Sequence, residues 1–172
     1  MFCVAIIILF CLIQIVINQK NIETEIKEEI MEQEIQTVTQ TEDEINIWQI
    51  EIPKILVMAK ITEGTSKEKL EQYVGHFETT SKENGNIGLA AYNRGNIVNY
   101  FKDLKLLKEG DEIIYRYNKF EKKYEVKKCR IIKNTETRYL DKTDKNMLTL
   151  ITYIENYPEY RRCIQAVEKD EN

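Results

Sequence analysis

The chain has 172 residues, with 25 basic and 29 acidic side chains, a formal net charge of −4 and a pI near 5.3. That balance argues against a nucleic-acid partner, and the length leaves room for one domain of about 120 residues plus an N-terminal appendage. Of the four cysteines, Cys3 and Cys11 fall inside an apolar run, so the set does not form a disulfide framework.

Residues 2–17 are apolar except for Gln14. A helix of about 16 to 18 residues is roughly 25 Å long, short but sufficient for a membrane crossing. Residues 1–18 are therefore predicted to be a transmembrane anchor. A cleaved signal peptide is the other reading, although no small-x-small site follows the run. No basic residue precedes the span and Lys20 follows it, which opposes an outside C-terminus; a basic tail omitted ahead of Met1 would remove that conflict. Residues 21–45 contain neither Pro nor Gly and are rich in Glu and Gln. Ile22, Ile26 and Ile30 fall on one helical face, which Ile35 and Val38 continue imperfectly. Residues 19–46 thus read as an acidic helical stalk. Weak self-association through the stalk is the sharper alternative, but the heptad is not sustained, which favours the plain stalk.

From residue 47 to 169 the chain alternates short β-branched or aromatic runs with turn signals. Strands are predicted over 48–52, 56–62, 87–92, 111–118, 123–133, 147–153 and 161–168. Residues 118–121 read as a polar hairpin turn, and Thr65-Ser66 as the N-terminal cap of a short helix over 67–73. A second short helix is predicted over 99–106. Many short strands with little helix argue for an all-β barrel or sandwich. Residues 170–172 are a tail.

Two segments point further. One is MLTLITYIENYPEYRRCIQA at 147–166, and the other is GNIGLAAYNRG at 85–95. The first resembles the last two strands of a sortase, in which a TLxTC strand ends on the nucleophilic cysteine and an arginine opens the next strand. The second resembles the LAxHN segment that carries that family's catalytic histidine. Weaker matches in the family's order are IEIPKI at 50–55, ITEGT at 61–65, VGHF at 74–77, and Leu104-Lys105 with KEGDEII at 108–114. The style is closest to the small class D or class B-like members.

The resemblance implies an eight-stranded sortase-type β-barrel, no cofactor, and a cell-membrane protein with its C-terminal domain outside the cell. It further implies cleavage of LPxTG-like sorting signals and transfer of surface proteins to the cell wall. Here, however, Tyr92 stands at the histidine position and Tyr153 at the cysteine position, leaving Arg161 alone of the catalytic set. A phenol with a pKa near 10 is ionised to only about one part in a thousand at pH 7, and suits neither nucleophile nor proton donor. The expected result is an inactive family member whose cleft, with Asn93, Thr152 and Arg161, still binds peptide. Two alternatives stay open: an active enzyme using Cys163 or Tyr153, and a structural protein that self-associates. Cys163 shares a strand face with Arg161 by period two, but a small buried hydrophobe is its plainer role. Cys129 reads as core or sheet surface, and a Cys129–Cys163 bridge has no support in the pattern. His76, the only histidine, reads as packed at a helix–strand junction. The loop 133–147 is expected to border the cleft.

Overall fold

The computed structural model describes residues 18–22, 26–28, 30–32, 47–95 and 97–169. The chain divides into two units, 1–45 and 46–172. In the first, the described residues are helical, and Ile22, Ile26 and Ile30 are each about half exposed. The expected membrane anchor falls almost wholly on residues outside this set. Among the described residues, no helix is long and apolar enough to cross a membrane.

The second unit is a closed barrel of eight strands in the order β1-β2-β3-β4-β7-β8-β6-β5. The strands are β1 (Trp48–Ile52), β2 (Val57–Glu63), β3 (Val74–His76), β4 (Asn86–Ala90), β5 (Glu112–Tyr117), β6 (Phe120–Lys133), β7 (Met147–Ile154) and β8 (Tyr157–Glu168). Alternation selects the inward face: Ile50 and Ile52 of β1, Leu148 and Leu150 of β7, and Ile164 and Ala166 of β8 are fully buried. Tyr115 and Tyr124 complete the interior, where Tyr115 accepts a hydrogen bond from Trp48 Nε1 and donates one to the Lys82 carbonyl. The β1–β5 pair closes the ring, so the barrel satisfies all its strand edges within 48–168 and is self-contained.

Several boundaries differ from the sequence reading. β3 is an additional strand, parallel to β2, where only a motif had been read. The predicted helix over 67–73 is a single turn, α1 (Lys67–Leu70), and the one over 99–106 reduces to a 3-10 turn at Leu104–Leu106. The cause of the second difference lies in the spacing. Phe101, Leu104 and Leu107 recur every third residue and are all buried, which fits three residues per turn rather than 3.6. β8 starts at Tyr157 rather than at residue 161, because Asn156 adopts φ 64° and lets Ile154 pair directly with Tyr157 across a two-residue turn. The predicted turn after β5 is present, with Asn118 at φ 52° between Tyr117 and its partner Phe120.

The pairings also decide which loops meet. β2 runs parallel to β3, β3 antiparallel to β4, and β4 parallel to β7. The start of β2 and the ends of β4 and β7 therefore lie at one end of the barrel. The β1–β2 turn, the long β4–β5 connection and the β7–β8 hairpin gather there.

Candidate functional site

At that end the chain leaves β4 at Ala90, two residues before Tyr92, so Tyr92 lies in a loop and not on the strand predicted over 87–92. Two hydrogen bonds fix the loop to β7. Thr152, buried, donates from Oγ1 to the Ala91 carbonyl at 2.8 Å, and Asn93 donates from Nδ2 to the Tyr153 carbonyl at 2.8 Å. Tyr92 is held between these ties beside Tyr153, with ring centroids 6.1 Å apart and planes inclined by only 21°. Burial, followed by the neighbouring Tyr153 phenol, raises the pKa of Tyr92 above the ordinary phenol value.

Arg161 lies directly opposite Tyr153 across the β7–β8 ladder. It is the fifth residue of β8, not the first. Its guanidinium carbon sits 4.1 Å from the Tyr153 ring centroid, and Nη1 donates to the carbonyls of Pro158 at 2.7 Å and Tyr160 at 2.8 Å. These bonds orient the group while Tyr153 shields one of its surfaces. On the rim, Arg94 pairs with Glu155 at 2.6 Å, joining the β4–β5 loop to the hairpin. Both partners are exposed, so the pair contributes little to stability. Between loop and hairpin lies a cavity of about 400 Å³, lined by Tyr92, Asn93, Arg94, Tyr153, Ile154, Asn156, Tyr157 and Pro158.

The expected site residues are thus brought together, with different parts to play. Tyr92, Asn93 and Tyr153 line the cavity; Thr152 acts from beneath as a tie, and Arg161 braces Tyr153 from the neighbouring strand. The hairpin residues Asn156, Tyr157 and Pro158 were missing from the sequence-based set. Their signal was an Asn-Tyr-Pro turn cluster between two strand-like runs.

The other candidates lie elsewhere. Cys163 is fully buried, opposite Ile151 and Arg130, and burial pushes its thiol up to about 12 despite the nearby Arg130. Cys129 is paired across the sheet with Ile164, so the two thiols project from opposite faces of the β6–β8 ribbon; both are free. Cys129 is exposed and donates to the Leu107 carbonyl. His76 is buried within β3, with Nδ1 2.8 Å from Glu63 Oε1 and Nε2 donating to the Ser81 carbonyl at 2.9 Å. It lines no part of the tyrosine cavity. The 134–146 connection, expected to border this cleft, packs instead along the outer side of β4. Asn86 Nδ2 donates to the carbonyls of Tyr139 and Asp141, and a methyl added to Gly88 would meet Leu140 at 2.6 Å. With the 78–81 and 84–86 segments it lines a separate polar groove of about 620 Å³, at the beginning of β4 and β7.

A closed mixed barrel with a parallel β4–β7 pair, and its polar and aromatic residues gathered at the ends of those strands, is an architecture well represented among solved structures. A family model described as Sortase domain matches residues 50–168, and the chain belongs to the sortase family. The structure is similar to sortase A from Corynebacterium diphtheriae (lid mutant) at 25% identity and a TM-score of 0.68, over 73% of this chain and 71% of that one. Sortase C-1 from Actinomyces oris is similar at 28% identity and a TM-score of 0.68, over 72% and 74%. A Clostridium perfringens sortase D5 transpeptidase is similar at 29% identity and a TM-score of 0.65, over 76% and 86%. No curated protein matches the sequence significantly.

Proposed function

We propose that this protein is a membrane-anchored sortase-family member that binds sorting-signal peptides without cleaving them. The observation that carries the reading is the stacked pair Tyr92 and Tyr153, at the positions where the family motifs have histidine and cysteine. Family chemistry needs a thiolate to attack the peptide carbonyl and an acid to protonate the leaving amine. A thiol is partly ionised at neutral pH and intrinsically nucleophilic, whereas a phenol is neither. Loss of proton transfer alone costs about 10²- to 10⁴-fold in rate, and loss of the nucleophile removes the acyl-enzyme route. The shift in Tyr92 goes the wrong way for a proton shuttle, since burial raises an already high value.

Groups suited to holding a peptide line the site. Two phenol faces, the Asn156 amide and the Pro158 ring surround a cavity of peptide dimensions, with the Arg161 guanidinium stacked on its Tyr153 wall. Anchoring rests on the apolar run at 2–17, with the barrel on the extracellular side and the ligand an LPxTG-like segment of a surface protein. The alternative nucleophile Cys163 is disfavoured by its complete burial and raised pKa. The test is titration of the protein with LPxTG-like peptides by calorimetry. Saturable binding is expected, weakened about two- to fivefold by Arg161→Ala, because the Tyr153 wall loses the guanidinium stacked on it. Binding that Arg161→Ala leaves unchanged would remove the cleft from the reading.

A further inference from the structure

We propose that the cleft-bearing end of the barrel also docks on an anionic lipid surface, through two aliphatic loop tips. In the β1–β2 turn, Leu56 is 93% exposed and adopts φ 54°. An L-residue is disfavoured in that left-handed region and glycine is its usual occupant. The conformation closes the turn at Pro53–Ile55, where the Leu56 N–H donates to the Pro53 carbonyl at 3.1 Å, but that turn makes no demand for a large exposed aliphatic side chain. Met58, at the start of β2, is 61% exposed. In the β4–β5 connection Ile97 is fully exposed, and its neighbour Val98 faces the β1–β2 turn across a cavity of about 290 Å³. Leu56, Met58 and Val98 thus line one cavity between the two loops, and Ile97 projects from the chain next to Val98.

Charge selects the occupant. Lys54 precedes the tip, Lys60 lies two residues beyond Met58 on the same face of β2, and Lys102 lines the cavity; Asp103 is its one carboxylate. The unit 46–172 holds 23 of the 25 basic residues but only 20 of the 29 acidic ones, so it is cationic in a chain that is acidic overall. Aliphatic tips with a lysine rim match a membrane interface, where apolar groups enter the acyl boundary and ammonium groups meet lipid phosphates. A protein-binding centre would instead be rich in Trp, Tyr and Arg and poor in Lys. A second copy would set lysine against lysine. Since the tips and the cleft share one end of the barrel, docking holds the cleft at the lipid surface.

Co-sedimentation of the self-contained unit 46–172 with vesicles tests this, comparing phosphatidylcholine alone with a mixture of phosphatidylcholine and phosphatidylglycerol. Binding to the anionic vesicles is expected, reduced by added salt and reduced at least about tenfold by Leu56→Ser with Ile97→Ser, since each serine removes an inserted aliphatic chain. The double variant is expected to melt like the parent, both side chains being exposed, and to bind peptide in solution equally well. Failure to bind anionic vesicles, or equal binding by the double variant, would overturn the proposal. So would a dimer in sedimentation equilibrium that the double variant abolishes, which would assign the patch to a second copy.

Discussion

Alkylation of the native barrel is expected to spare Cys163 while Cys129 reacts. Burial pushes the Cys163 thiol up to about 12, and its side chain has no exposed surface. At pH 8 such a thiol is ionised to about one part in 10⁴, against roughly a quarter for a free cysteine with a pKa near 8.5. The difference in thiolate alone slows alkylation by about 10³-fold, and exclusion of the reagent slows it further. The sign of the linked stability follows from the same shift. The folded state favours the protonated thiol, so this contribution is fully present below the ordinary value of 9.0 and is lost as pH rises toward about 12. Tyr115 and Tyr124, also raised by burial, add to the alkaline loss. The assay is iodoacetamide labelling at pH 8 with peptide mass mapping, native and in denaturant. Native labelling of Cys163 within tenfold of its denatured rate would refute the reasoning and return this thiol to the list of nucleophiles.

Two further substitutions test how the site is supported. Thr152→Val keeps the shape of a buried side chain but leaves the Ala91 carbonyl without its donor; a loss of about 1–3 kcal/mol is expected in chemical denaturation, with Thr152→Ser losing less. His76→Ala removes a buried imidazole that bonds Glu63 and Ser81, and about 2–4 kcal/mol of stability is expected to go with it, while peptide affinity is unchanged because His76 lies outside the cavity. Although burial works to raise the pKa of Glu63, bonds from Lys82 and His76 hold it below the ordinary 4.5. Its contribution is therefore present above that value and lost as pH falls through the lowered one, and urea titrations between pH 3 and 6 are expected to show a shallower acid slope in His76→Ala.

Alternation made much of the barrel legible. Ile50 with Ile52, and Leu148 with Leu150, identify inward faces from residue type alone, and the polar cluster at Asn118 marks a hairpin. β3 escaped because Val74, Gly75 and His76 are too few to show a period, and their pairing partners Ile61 to Glu63 and Leu89 to Ala90 are distant in sequence. Gly75 is itself demanded by packing: a Cβ there would lie 2.6 Å from the Gly64 carbonyl oxygen. At the site, the resemblance to the sortase motifs singled out Tyr92, Tyr153 and Arg161, but not how they are held. The tie from Thr152 to Ala91 spans 61 residues, and the brace of Arg161 on Tyr153 depends on β7–β8 register. Such contacts arise only when the strands close, so local patterning carries no trace of them. The hairpin wall was hidden for a related reason, since the turn at Asn156 brings Tyr157 and Pro158 back beside Tyr92.

The central claim is that peptide chemistry is absent because two side chains are phenols, within a cleft otherwise intact. Mass spectrometry of the protein incubated with LPxTG-like peptides and a glycine-based amine tests this most directly, run beside the Tyr92→His, Tyr153→Cys double variant. The expected result is no cleavage and no acyl adduct in the natural chain, with an adduct on residue 153 of the double variant. Cleavage or acylation by the natural chain would contradict the claim.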